Sequence, residues 1–441
     1  MGPSHGRIAQ RQRRGLTARP LARYRTRLTS LLRRTGFVPL MGAQFVSALA
    51  DNALLLVAMA LLIEQGQAAF WVPLLKLMFT LSYVVLGPWV GVCADTWPKQ
   101  KVMMVANGVK AVACIAMLWG VNPLLAFAIV GVGAAAYAPA KYGLVTELAQ
   151  PEQLVTANAW IEISTVSAVL LGVVLGGALV SPAWLQQNWV QVWAQFQDAQ
   201  SVYTASLATL LVLYGVAATL NLFIQGSGKV YAPMPWNFMS ICQGFWQDFK
   251  RLWTDPLGSI SLSVTTLFWG VGATLQLLVL SWAQEKLLLN LSQAAYLQAA
   301  TAVGVIAGAA LAARWVALHQ ATWVLGLGLA MGALLPIMLW VTQWQTAVLL
   351  TTLLGLVGGF FVVPMNALLQ HRGVVLLSAG RSIAIQNVNE NASILAMMAA
   401  YSGLLYFHAK VEELILALTF LMITVMARVL WRHLSLKTPF A

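Results

Sequence analysis

Seven ionisable side chains stand inside runs that are otherwise long and apolar enough to cross a bilayer: Asp51, Lys76, Lys110, Lys141, Glu162, Arg381 and Glu390. A charge at the bilayer centre costs about 2.5–3.5 kcal/mol on insertion scales, so each must face a partner or a polar cavity. Asp51 sits in SALADNALLLVAMALL with Asn52 beside it. Gln44, Ser47 and Asp51 recur at i, i+3 and i+7, one face of a helix. Asp51 therefore reads either as an ion pair joining two helices or as a carboxylate lining a cavity. Lys141 follows Pro139 among small residues, and reads either as a lysine reaching for the membrane surface or as a cavity cation. Asn158 and Glu162 share a face at i, i+4, as do Gln386 and Glu390, and Asn387 and Asn391 form a second polar stripe beside the latter pair. Amides and carboxylates in this pattern are expensive against lipid, which points both stripes inward. Trp269, inside an apolar run, is a candidate cavity wall. Lys110 is mid-span and open to either reading.

The elements that must position these residues are membrane helices. Of 441 residues 60% are hydrophobic and 9% charged, with a mean hydropathy of +0.76, whereas soluble domains carry about 25% charged residues. A bilayer core needs roughly 20 apolar residues per helix. Such runs lie near 37–64, 69–93, 101–120, 123–148, 153–180, 202–224, 259–284, 292–317, 321–341, 345–370, 375–407 and 411–433. The fold class is thus all-α and polytopic, with twelve spans.

The charge of +13 is uneven, because residues 1–35 hold ten Arg and no acid. An orienting segment lying against anionic lipid accounts for it better than a transit peptide or a nucleic-acid arm. The A-x-A before Asp51 resembles a signal-peptidase site, but the apolar run continues past it, so cleavage is not expected. With the N-terminus cytoplasmic, 20 of 26 Lys and Arg fall on the inside and only Lys286 and Lys410 in outside loops. Both termini are therefore expected inside. The expected organisation is an Arg-rich extension (1–35), a six-helix bundle (36–224), a cytoplasmic linker with an amphipathic interfacial helix (225–258), a second six-helix bundle (259–433) and a tail (434–441).

A repeat supports two related halves. GVGAAAYAPAKYG (131–143) resembles GLVGGFFVVPMNALLQ (355–370), and ANAWIEIS (157–164) resembles IQNVNENA (385–392). GVCADTWPKQK (91–101) joins a small-residue turn at Gly91 to Asp95, Lys99 and Lys101. It resembles the major facilitator signature between spans two and three, in which the acid caps a neighbouring helix and acts as a structural latch. The chain carries no nucleotide loop G-x-x-x-x-G-K-[ST], no H-x-x-x-x-D acyltransferase centre and no metal or cofactor spacing. These exclusions leave a transporter without a cofactor, not an enzyme.

The segments QFVSALADNALLLVAMALL, VMMVANGVKAV, GVGAAAYAPAKYG, TLFWGVGATLQ, GGFFVVPMNALLQ and AIQNVNENASILA, collinear from about 40 to 430, resemble the bacterial lysophospholipid transporters of the major facilitator superfamily. The resemblance implies inward movement of lysophospholipids, chiefly lysophosphatidylethanolamine, across the inner membrane by facilitated diffusion, for re-acylation by an acyltransferase–acyl-carrier-protein synthetase. Asp51 and Lys141 match polar positions implicated in that family, so Asp51 would accept the ethanolamine ammonium and Lys141 would pair the phosphate. Gln276 stands where the family is expected to carry Arg. The competing readings are a proton-coupled exporter of amphipathic compounds, with the same carboxylates as proton carriers, and a membrane scaffold that moves nothing.

The charge asymmetry makes the orientation testable. Reporter fusions after residue 441 and within 225–258 should both read cytoplasmic, and an outside reading at the C-terminus would overturn the twelve-span arrangement.

Overall fold

The computed structural model describes residues 24, 26–32, 36–67, 71–196, 201–229, 231 and 236–436. Most of the Arg-rich extension 1–35, together with Lys437 and the rest of the tail beyond 436, lies outside the described residues. Long helices follow one another as α1 (Phe37–Glu64), α2 (Trp71–Thr96), α3 (Lys99–Leu118), α4 (Pro123–Leu148), α5 (Leu154–Leu179) and α6 (Thr204–Leu222). After the interfacial α7 (Phe238–Thr254) come α8 (Pro256–Glu285), α9 (Leu291–Trp315), α10 (Leu325–Leu334), α11 (Trp344–Leu376), α12 (Ala379–Tyr406) and α13 (Val411–Ser435).

Local sequence sets the helix starts. Asn122 and Asp255 each accept the backbone N–H two or three residues on, at 2.8 Å from Leu124 and 2.7 Å from Gly258, and each is followed by Pro at the first helical position. The ninth expected span, 321–341, is not one continuous α-helix. It runs as a 3₁₀ stretch Leu318–Val324, α10, and a second 3₁₀ stretch Leu335–Leu339, because Pro336 cannot donate into the α-helical ladder.

Among the described residues, eleven helices are long and apolar enough to cross a membrane. The twelfth, α12, is 28 residues long but falls short in hydropathy. Arg381, Gln386, Asn387, Asn389, Glu390 and Asn391 crowd its first half. The break at Leu377–Ser378 also assigns residues 375 and 376 to α11, which runs two turns beyond the expected 370.

Packing within the second half depends on bare backbone. Gly304 and Gly308 of α9 face the backbone of Thr352 and Leu356, while Gly355 and Gly359 of α11 face that of Thr301 and Val305. A Cβ at any of the four would overlap a main-chain atom, so two small-xxx-small stripes interlock and bring the helices to close approach. Between the halves, α2 and α4 pack on α12, and α5 packs on α9 and α11.

The halves are latched at the end that carries the α2–α3 and α11–α12 turns. Asp95 accepts from the backbone N–H of Gly380 at 2.8 Å and of Arg381 at 3.2 Å, and from the Ser378 hydroxyl. A carboxylate from one half thus caps a helix of the other, where the helix dipole favours it. Gly91 permits this, since a Cβ there would meet Ala384 Cβ at 2.8 Å and Arg381 Cα at 3.1 Å. Lys99 lies 2.8 Å from Glu147 and 3.8 Å from Asp95. Tyr231 donates to the same Glu147 oxygen, Oε1, at 2.8 Å, and Ser227 donates to Oε2. Lys101 departs from the expected latch: it is exposed and makes no ion pair among the described residues, because two residues after Lys99 it falls on the opposite face of the helix. Arg381 is the basic residue added in its place, bonding Asp248 of α7 at 2.9 Å. Burial pushes the Asp248 carboxyl up, and the cations Arg381 and Arg251 only partly offset this.

The glycine contacts predict that Gly355→Val lowers the melting temperature of the detergent-purified protein. Gly272→Val on α8, where a Cβ would meet nothing within 4 Å, should leave it nearly unchanged.

Candidate functional site

Helices α1, α3, α4, α5 and α6 converge on a polar cluster inside the first half. Lys110 of α3 donates to Asp51 Oδ2 at 2.7 Å and to Ser47 at 3.0 Å, and Tyr214 of α6 donates to Asp51 Oδ1 at 2.8 Å. Ser47 in turn donates to Asn107 at 2.7 Å. The lysine stem reaches this point across Gly133, where a Cβ would meet Lys110 Cγ at 2.8 Å. The Tyr137 ring lies 5.1 Å from the ammonium. Lys110 is 1% exposed and Asp51 16%, so this is a buried ion pair with both carboxylate oxygens engaged.

In this geometry the ammonium that Asp51 holds is the protein's own, the ion-pair alternative of the two that the sequence offers. Asn52 is satisfied within its own helix. Its amide returns to the Ala48 carbonyl at 2.8 Å, and its Cβ packs where Gly172 of α5 makes room. Asn158 is consumed differently, in a reciprocal amide pair with Gln370 of α11 at 2.8 Å in both directions. This pair crosses between the halves and belongs to their closed interface.

The remaining buried polar residues near the contact between the halves form a sparser set. Lys141 is buried, donates to Gln44 Oε1 at 3.4 Å, and lies 4.3 Å from the Tyr142 ring centroid. No carboxylate stands within 4.0 Å of it among the described residues. Gln44 is itself held by Ser164 at 2.8 Å and Thr165 at 3.2 Å. Glu162 lies within electrostatic reach of Lys141, and Glu390 within reach of Glu162 across the interface. Gln386 bridges Glu390 at 2.7 Å and Asn366 at 3.0 Å. Asn387 is buried with an Nδ2 that has no protein partner. Asn391 is corrected: its amide turns back to the Asn387 carbonyl at 2.9 Å, because half-exposed amides satisfy themselves within the helix when no neighbour is in range.

On α8, Thr265, Trp269, Gly272 and Gln276 fall on one face, with Thr265 beside Glu390. Thr265 is buried, Trp269 half-buried in an edge contact with Phe268, and Gln276 exposed. Burial thus falls along this face from Thr265 to Gln276. Tyr214, Asn366 and Gln370 are not singled out by the sequence, and Lys110 is left open between two readings. For Lys110 a signal existed, since Asn107 and Lys110 make a polar i, i+3 pair matching Ser47 and Asp51.

Two helical bundles latched at one end, with buried polar side chains from both halves between them, are an architecture of membrane transporters. The family model for the Major Facilitator Superfamily matches residues 40–373. The lysophospholipid transporter LplT of Yersinia pestis (strain Pestoides F) is 38% identical over 366 residues, covering 83% of this chain and 86% of that protein. The LplT of Yersinia pseudotuberculosis serotype O:3 (strain YPIII) matches equally. The chain belongs to the Major Facilitator Superfamily and, within it, to the family of these LplT proteins. Solved structures share the fold. A bacterial homologue of the iron transporter ferroportin in the outward-facing state has a TM-score of 0.66 at 18% identity, covering 90% of this chain and 99% of that one. FucP in the outward conformation has 0.63 at 18%, covering 91% and 99%.

The ion pair yields a prediction. Removing one partner of a buried pair costs about 3–5 kcal/mol, so Asp51→Asn and Lys110→Met should each lower thermal stability strongly. The double variant should lose less than the sum of the two, and additive losses would show that the pair is not coupled.

Proposed function

We propose that the chain moves lysophospholipids, with lysophosphatidylethanolamine foremost, inward across the bacterial inner membrane by alternating access. The observation that carries this reading is Lys141: a buried ammonium with no ion pair within 4.0 Å among the described residues, while the buried Lys99 and Lys110 are neutralised by Glu147 and Asp51; in this reading it faces a chamber between the halves. A phosphodiester supplies the missing anion, and a lysine holds it as a point charge. Glu162 and Glu390, on opposite halves, are suited to the ethanolamine ammonium. Trp269 and Gln276 line the route by which the acyl chain enters from the open end. In this reading Asp51 acts through Lys110 as a positioning residue. That the LplT relatives bear the name lysophospholipid transporter supports the substrate class.

In the same reading, residues 36–224 and 259–433 are the two moving bundles and 225–258 is the tie between them. Both termini and the latched end face the cytoplasm, where an acyltransferase–acyl-carrier-protein synthetase receives the product, and the Arg-rich 1–35 lies against anionic lipid. Transport is facilitated diffusion. A second reading, a proton-coupled exporter of amphipathic compounds, draws on Glu162, a buried carboxylate with no ion pair among the described residues.

Uptake of labelled lysolipids into liposomes containing the purified protein tests both. Lys141→Gln should depress uptake of ethanolamine and glycerol lysolipids alike, by about tenfold or more for a lost charge-assisted contact. Glu162→Gln should depress the ethanolamine lipid selectively. Strict dependence on a pH gradient would favour the exporter, and undiminished uptake by Lys141→Gln would remove the phosphate role.

A further inference from the structure

At the latched end, separate from the chamber, the chain builds a second recess of about 230 Å³. Its walls come from both halves: Arg27 and Glu152 from the first, and Leu257, His319, His371 and Arg372 from the second. The segment that presents Arg27 is docked, since Leu31 is fully buried and Gln153 Nε2 donates to Ser30 at 2.7 Å. Arg372 is already neutralised by Asp255, at 2.5 Å and 3.1 Å. The Asp255 carboxyl lies below its usual range, because these bonds and the Gly258 N–H outweigh its burial. Arg27 and Glu152 make no ion pair among the described residues. The recess thus offers one unneutralised guanidinium, one unneutralised carboxylate and two imidazoles able to donate hydrogen bonds.

His319 also lines a neighbouring groove of about 680 Å³, which runs between α10 and α13 past Trp323, Gly326, Leu430 and Leu434. Trp323 and Leu434 are 81% and 73% exposed on this outer face. His433 borders the groove with a buried Nδ1 that has no protein partner. A headgroup-sized recess with Arg27, Glu152 and two imidazoles on otherwise apolar walls, sharing His319 with an apolar groove along two membrane helices, has the shape of a phospholipid site. A purely basic recess selects anionic headgroups, but Glu152 facing Arg27 makes this one matched to a zwitterion. We propose that recess and groove together hold a diacyl phospholipid whose headgroup carries a phosphate and a primary ammonium. The phosphate meets Arg27 and the imidazoles, the ammonium meets Glu152, and an acyl chain lies against Trp323 and Leu430. Since both halves form the walls, the bound lipid bridges them and holds this end shut.

Full-length protein, purified in detergent and incubated with dioleoyl phosphatidylethanolamine, phosphatidylcholine or phosphatidylglycerol, tests the proposal by retained lipid in native mass spectrometry and by thermal shift. Phosphatidylethanolamine should be retained about fivefold more than either of the others, the size of one partly exposed ionic contact. Glu152→Gln should lower retention of phosphatidylethanolamine and raise that of phosphatidylglycerol, and Arg27→Ala should lower all three. Gly326→Phe, placed where a Cβ meets nothing within 4 Å, should fill the groove and reduce retention without loss of fold. Lys141→Ala should leave retention unchanged. Wild-type retention in the Arg27 and Glu152 variants, equal retention of phosphatidylcholine, or loss in Lys141→Ala would overturn it, the last because the lipid would then sit in the chamber.

Discussion

Taking an ammonium and a carboxylate out of water costs several kcal/mol per ion, and their attraction returns that only at close range with the remaining lone pairs satisfied. Lys110 and Asp51 meet both conditions, with Tyr214 and Ser47 completing the shell. Much of the first half is arranged around this pair. Gly133 is bare so that the lysine stem can pass, and α1, α3 and α6 are drawn together by groups that have no acceptable alternative in lipid. With Asp51 paired to Lys110 and Glu147 to Lys99, Lys141 is the buried lysine left without an ion pair among the described residues.

The latched end uses a different economy of contacts. Asp95 on the α12 N-terminus, the Asn158–Gln370 amide pair and Arg381 on Asp248 are hydrogen-bonded and directional. Each is worth about 0.5–1.5 kcal/mol net, or 1.5–3 with a charge involved, because water offers a substitute when the contact breaks. An interface of this kind is specific when shut and can still open, whereas the interlocked glycines of α9 and α11 hold a contact that has no reason to separate. Rigid packing within a half and exchangeable bonds between halves suit a molecule that works by moving one against the other.

α12 shows how far composition alone carries. Its first half is too polar for a free-standing span, yet it lies among α2, α4 and α8, where Gln386, Glu390 and Asn387 are covered by protein. Irregular or polar segments are tolerated at membrane depth when neighbours, and not lipid, surround them.

The sequence by itself determined the class of fold, because twelve stretches of this length and hydropathy have few other solutions in a bilayer, and the Pro139 and Pro364 segments fall in matching helices, α4 and α11. It also marked the set of intramembrane polar residues, since their cost in lipid is independent of any particular neighbour. It did not determine their partners. Asp51 reads from sequence as a ligand or as an ion pair, and only the fold brings Lys110, 59 residues away, to 2.7 Å from it. Asn158 looked identical to Gln386 in spacing, but one pairs across the halves with Gln370 and the other turns to Glu390 on its own helix. Helical periodicity fixes which face a side chain occupies, while the identity of the facing helix is set by tertiary packing, and in a low-dielectric interior the facing group decides whether a charge is structure or site.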